Sequence, residues 1–209
     1  IALLLTLLFT TLPAMALDSS STGHFQELVA QGVDPKALRV ALKAYQWAKA
    51  HGKVKKPILT LVNFEKPSSK QRLWVIDVNS GRILYHGLVT HGKKSGGLYA
   101  NHFSNRVGSK ESSLGAMVTG APYYGKHGLS VRINGLEPGI NSHVAQRDIV
   151  FHKASYATKR FVSQRGALGR SWGCFAISPK QANYVFNTIK GGSFVFAYAD
   201  EEQSDPLLS

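Results

Sequence analysis

Residues 169–178 read GRSWGCFAIS and hold Cys174, the only cysteine in the 209-residue chain. The residues after it decide how this stretch is built. Ser178 and Pro179 offer an N-cap and a first-turn proline, Ala182, Val185, Phe186 and Ile189 recur at helical spacing, and Gly191-Gly192 ends the run. The spacing predicts a late helix, with the cysteine just ahead of its cap in a turn punctuated by Gly169 and Gly173. A filler cysteine belongs inside a strand or helix. A cysteine in such a turn stays within reach of solvent, and neighbouring cations favour its thiolate, the nucleophilic form.

Upstream, RDIVFH (residues 147–152) reads as a strand that delivers His152 at its end, where the imidazole can act as general base to a thiol. His24 and His51 sit on a helical segment, while His86, His91, His102, His127 and His143 lie in Gly- or Asn-rich surroundings and read as surface or packing residues. There is no HExxH, and one cysteine with scattered histidines has no ligand spacing, so no metal site is expected.

Further outward, ILTLVNF, RLWVIDV, RILYHGLVT, LGAMVTG, LSVRING and SFVFAYA are strand-like runs rich in branched and aromatic residues. They predict a mainly β (α+β) body, mostly antiparallel, over residues 57–209. Residues 17–56 form a helical N-terminal segment, in which Asp34 caps a helix starting at Pro35 and Gly52 stops it; residues 19–23 read as a flexible leader.

Residues 1–16, IALLLTLLFTTLPAMA, form an uncharged apolar run ending in the small-x-small pattern Ala14-Met15-Ala16. That is the signature of a secretory signal peptide, too short to span a bilayer. It lacks an initiating Met and a basic flank, so its start is expected to be missing. The reading implies a periplasmic or otherwise secreted protein with no stable membrane insertion after cleavage, and an oxidising compartment in which a lone thiol has no partner in its own chain. The formal net charge of +13 favours anionic partners. A secreted address makes nucleic acid the least favoured of these and leaves lipid head groups and an acidic cell-wall polymer open. Between positions 147 and 170 the chain carries Arg147, Lys153, Lys159, Arg160, Arg165 and Arg170 against the single acid Asp148, so the basic cluster runs into the cysteine segment. The oligomeric state is not legible.

VFHKASY followed by GRSWGCFAIS resembles the catalytic region of the L,D-transpeptidases of the YkuD type, where a histidine precedes Ser/Thr-x-Gly-Cys. SSLGAMVTG and GKHGLSVRINGLEPG are similar to earlier strands of the murein L,D-transpeptidase catalytic domain branch. The resemblance covers residues 57–200 and implies a YkuD-like antiparallel β-sandwich. It makes Cys174 the acyl-accepting nucleophile and His152 its base, with Ser171 and Gly173 shaping the turn and helping to form an oxyanion site with backbone N–H groups, that of Cys174 included. Arg170, Trp172, Tyr156, Lys153 and Ser113 become candidate contacts for peptidoglycan stem peptides.

Three positions depart from the family pattern: Trp172 replaces a histidine, Ala176 replaces Arg or Asn, and Lys153 replaces a small residue. Trp172 is expected to be a wall for the stem. The implied reaction is thioester formation at the position-three diamino acid, then transfer to an amine to give a 3→3 crosslink, with no cofactor required. Transfer to water would give an L,D-carboxypeptidase or another hydrolase acting on stems or wall-linked protein, and a dead site would leave a basic wall-binding module. The resemblance also implies acylation by carbapenems, and the cluster ending at Arg170 implies a thiol ionised at neutral pH.

Overall fold

The computed structural model describes residues 19–200; the signal-peptide expectation over residues 1–16 lies outside them. Asp34 caps the second helix as its sequence requires, its carboxylate accepting from the Ala37 N–H at 2.9 Å. That helix, α2 (Pro35–Ala50), follows α1 (Ser19–Ala30). Residues 19–23 are thus the first turns of α1 rather than a leader, continuous with a segment whose Leu28 is buried with α2 against the sheet.

Eight strands follow: β1 (Ile58–Asn63), β2 (Leu73–Asp77), β3 (Arg82–Gly87), β4 (Gly115–Gly125), β5 (Gly128–Gly135), β6 (Val150–Lys153), β7 (Phe175–Ile177) and β8 (Phe194–Tyr198). They form one sheet in the order β3-β2-β1-β8-β4-β5-β6-β7. Most neighbours are antiparallel, but β1 with β8 and β6 with β7 are parallel. Two helices lie late in the chain, α3 (Lys159–Arg165) and α4 (Pro179–Ile189). The expected late helix is α4, although its Ser178 cap makes no side-chain bond. The sequence misses α3 because KRFVSQR buries no residue and so shows no apolar period.

Alternation along the central strands feeds two cores. Leu73 and Val75 of β2 and Val195 and Ala197 of β8 face one core, closed by Phe151, Phe175 and the apolar face of α4. Trp74, Ile76, Phe194 and Phe196 face the other, covered by Leu38, Ala41, Tyr45 and Ala48 of α2. The helical segment is thus packed onto the sheet as one side of its core. In a flat sheet, β1 and β7 would lie about 24 Å apart, five strand spacings. Yet the ring of Phe64, next after β1, lies 6.2 Å from Phe175 of β7. The sheet therefore curls over its first core, and the sandwich expected from the sequence is one folded sheet whose two ends meet. Among the described residues no helix is long and apolar enough to cross a membrane.

Candidate active site

The parallel pairing of β6 with β7 sets Phe151 beside Phe175 and His152 beside Ala176. Because side chains alternate, Cys174, immediately before β7, faces the same side as His152 and is its diagonal neighbour. Both line a cavity of about 800 Å³ together with Tyr156, Arg147, Asp148, Arg170, Ser171 and Trp172.

The cysteine turn is held by a strand-like segment, residues 89–93, of which the sequence marks only the start, in the run that ends at Thr90. Thr90 donates its N–H to Ala176 O (3.0 Å), and Ser171 N–H donates to His91 O (3.0 Å). Thr90 Oγ1 accepts from Ala176 N–H at 3.1 Å, and Lys93 N–H donates to Ser171 O at 2.8 Å. Ser171 Oγ donates to Cys174 O at 2.7 Å and accepts from Gly173 N–H at 3.1 Å. Gly173 has φ +119°, and a Cβ there would stand 2.6 Å from both Glu111 O and Ile149 Cδ1, so only glycine fits. Its N–H is taken by Ser171, which removes it from the expected oxyanion site.

His91 is buried, and its Nδ1 lies 2.8 Å from Nη2 of Arg72, which is itself fully buried. The Arg72 guanidinium also donates to Val89 O and Lys66 O. Burial pulls Arg72 down to about 9. Burial, and then the charge of Arg72, hold His91 at about 4, so it is a neutral acceptor. No short-range pattern announces this pair, which a buried arginine without a carboxylate partner would have marked.

Cys174 is half-buried. Its thiol donates toward Asp148 O at 3.4 Å, a carbonyl set there by an αL residue (φ +53°). Burial pushes the thiol above its ordinary value and outweighs the Val150 N–H and the cations Arg147 and Lys126, which pull it down. The expectation of a resting thiolate is therefore overturned. Arg170 does not face the sulfur: its guanidinium donates to Gly96 O (2.9 Å) and Lys93 O (3.3 Å). His152 is 3% exposed. Burial lowers it below the usual histidine value, and His127 and Lys126 add to the effect. Its Nδ1 lies 3.0 Å from Lys153 O. A carbonyl can only accept, so Nδ1 carries the proton and Nε2 presents the lone pair. The resting pair is a neutral thiol beside a neutral imidazole.

The remaining sequence candidates separate. Trp172 is 65% exposed, with Lys93 and Lys110 Nζ at 5.3 and 4.8 Å from its ring. Tyr156 lines the cavity, and burial, with the nearby Cys174, raises its phenol. Lys153 instead lines an adjoining cavity with Lys126, His127 and Tyr156. Ser113 is a correction: it is 1% exposed. Its hydroxyl accepts from Arg147 at 2.7 Å, anchoring that guanidinium rather than meeting a substrate. Arg147 also donates to Ser109 Oγ and to the carbonyls of Ser104 and Glu111. His127, a surface or packing residue by its sequence surroundings, stacks its ring on His152 at 4.3 Å between centroids. Among the described residues no group of three or more His, Cys, Asp or Glu could hold a metal ion.

A half-buried thiol beside an oriented imidazole is the apparatus of acyl transfer through a thioester, and similarity to known proteins places it in a family. The L,D-transpeptidase catalytic domain matches residues 29–198, and the chain belongs to that family. No curated protein matches in sequence. Among solved structures, the chain is similar to an L,D-transpeptidase from Mycobacterium smegmatis (15% identity, 68% of this chain and 59% of that one, TM-score 0.43). It is also similar to the L,D-transpeptidase LdtMt1 in complex with imipenem (14% identity, 68% and 59%, TM-score 0.42). A third is the helical cell shape determining protein Pgp2 from Campylobacter jejuni (12% identity, 92% and 62%, TM-score 0.43). The chain spans about three fifths of the length of these neighbours.

Proposed function

We propose that the protein is a cysteine-dependent peptidoglycan L,D-transpeptidase that forms 3→3 crosslinks in the cell envelope. The observation that carries this reading is the shared cavity of Cys174 and His152 on adjacent strand ends, rimmed by cations. Lys36–Asp200 is the one ion pair among the described residues. Among the described residues none of the cleft cations Lys126, Arg132, Arg147 and Arg170 is in an ion pair, although Asp148 lines the same cavity and the charge of Glu111 acts on Arg147. The excess of positive charge suits the free carboxylates of stem peptides.

The reaction starts from neutral partners. His152 Nε2 takes the thiol proton as sulfur attacks the carbonyl carbon of the position-three diamino acid. The oxyanion forms at the Cys174 N–H at the head of the turn. The bond to the terminal D-residue breaks, and His152 returns the proton to its amine, leaving a thioester. The acceptor amine then gives a proton to His152 and attacks; the C–S bond breaks and the thiol is restored. A base with a lowered pKa stays unprotonated below neutral pH, and a thiol with a raised one loses its proton only in the transition state. The rings and stems of Trp172, Tyr156 and Arg170 form the walls of the donor groove in this reading.

Incubation of the purified protein with disaccharide tetrapeptide, followed by mass spectrometry, tests it. Crosslinked dimers are expected. Tripeptide products would replace the reading with a hydrolase, and unchanged substrate with retained sacculus binding would replace it with a wall-binding module.

A further inference from the structure

The register of the β4–β5 hairpin leaves a two-residue turn, Lys126-His127, between Gly125 and Gly128. Strand β5 pairs with β6 only at Val131–Phe151 and Arg132–Val150. Continued by two residues, that register carries the hairpin tip past His152 and Lys153 with no backbone ladder between them. What joins tip and strand there is side-chain contact. The His127 ring lies on His152 at 4.3 Å and 24°, and the Lys153 stem packs where a Gly128 Cβ would stand, 3.0 Å from Cε. His127 is itself exposed while His152 is buried beneath it. The base thus has one backbone hydrogen bond, Nδ1 to Lys153 O, and one ring covering its face.

From this geometry we propose that His127 is a positioning residue for the base: its ring holds the His152 imidazole in the plane that aims Nε2 at Cys174 and keeps water off that ring. The catalytic part rests on the transpeptidase reading above; the positioning part does not. Stacked aromatic rings are attractive beyond the area they bury. A ring free to rotate about its last torsion would leave the Lys153 carbonyl and lose its fixed tautomer. The charged and titratable groups around His152 are Lys126 and His127 from the turn, Tyr156 from the loop after β6, and Cys174, Arg147 and Asp148 from the opposite wall. Arg132 is turned onto the Tyr123 ring and Arg170 onto carbonyl oxygens, so neither competes for the face that His127 covers. Burial is the largest cause of the low His152 value, ahead of the charge of His127. Uncovering the ring must therefore raise it.

The test compares His127→Ala with His127→Phe in the full chain labelled with ¹⁵N-histidine. In wild type the His152 ring is expected to show a single Nδ1–H tautomer and a midpoint below the ordinary ~6.5. The alanine variant should average the two tautomers and titrate closer to ~6.5, while the phenylalanine variant, which keeps the stack without a titratable group, should resemble wild type. With disaccharide tetrapeptide, acylation should fall about 10- to 100-fold in His127→Ala with little change in KM, the cost of a misplaced catalytic group, and recover to within about threefold in His127→Phe. An unchanged His152 tautomer and midpoint in His127→Ala overturns the proposal, and so does a phenylalanine variant as defective as alanine. A wild-type protein with no turnover would count against the transpeptidase reading, and the imidazole spectra would still decide the role of His127.

Discussion

The two halves of the proposed dyad are held by different means. Cys174 sits in a turn tied to residues 90–93 by main-chain and hydroxyl bonds on both sides, with a glycine that admits no substitute. His152 is the third residue of a four-residue strand and depends on one carbonyl and one stacked ring. The nucleophile is thus fixed by many short bonds that fail together. The base is fixed by few contacts that can be changed singly, and tuning of this site by substitution should act through the base.

The largest break is chemical. Cys174→Ser should lower acylation by about 10⁴-fold or more with a cooperative fold, and His152→Ala by about 10²- to 10⁴-fold. Intact-protein mass spectrometry with a carbapenem reads both, one adduct in wild type and none in Cys174→Ser. Next comes the turn itself. Gly173→Ala forces a Cβ against Glu111 O and Ile149 Cδ1 at positive φ. It should cost about 2–4 kcal/mol in denaturant unfolding and abolish turnover.

The support behind the turn is titratable. His91 is held at about 4 when folded and returns to ~6.5 when unfolded. Between those values the unfolded chain binds the extra proton, so this stability is whole above pH ~6.5 and is lost as pH falls toward ~4, about 3 kcal/mol in all. Thermal melts of wild type and His91→Gln should differ in slope over that window and nowhere else. For the dyad, His152 lies below its ordinary value and Cys174 above. Turnover should hold steady from neutral pH down past ~6.5, whereas iodoacetamide should label the free thiol quickly only above ~8.5. Ser113→Ala, which removes one of several bonds to Arg147, should cost about 1 kcal/mol or less of stability and leave KM alone.

The placing of Cys174 beside His152, the proposed dyad, was legible in part because its neighbours are: a glycine-bearing turn before a helix, and a strand that carries a histidine near its end. Helix α2 was legible through Asp34 and Pro35. Strand β7 was not, since three residues carry no period, and neither was α3, which buries nothing. Residues 89–93 take their shape from hydrogen bonds to the cysteine turn, and those partners cannot be read locally. Ser113 was misplaced because a serine before a strand looks the same whether it meets a substrate in the cleft or holds a half-buried guanidinium behind it. The place of His127 was hidden because its partner is brought by strand register. The Gly-Lys-His-Gly turn gives the hairpin, and only the pairing of β5 with β6 gives the neighbour.

The parallel pairing of β1 with β8 places Leu59 beside Phe194 and Leu61 beside Phe196. The centre of the sheet is therefore closed by the last strand of the described chain. Such a pairing carries a large loop-closure cost before any contact rewards it, so folding belongs to the slow, high-contact-order regime of milliseconds to seconds. Until residue 198 is available, β1 has β2 on one side and an open edge on the other, with Leu59 and Leu61 lacking their partners. A chain emerging in order from its N-terminus thus exposes that edge until β8 has been made, and a truncation before β8 should aggregate rather than fold in part.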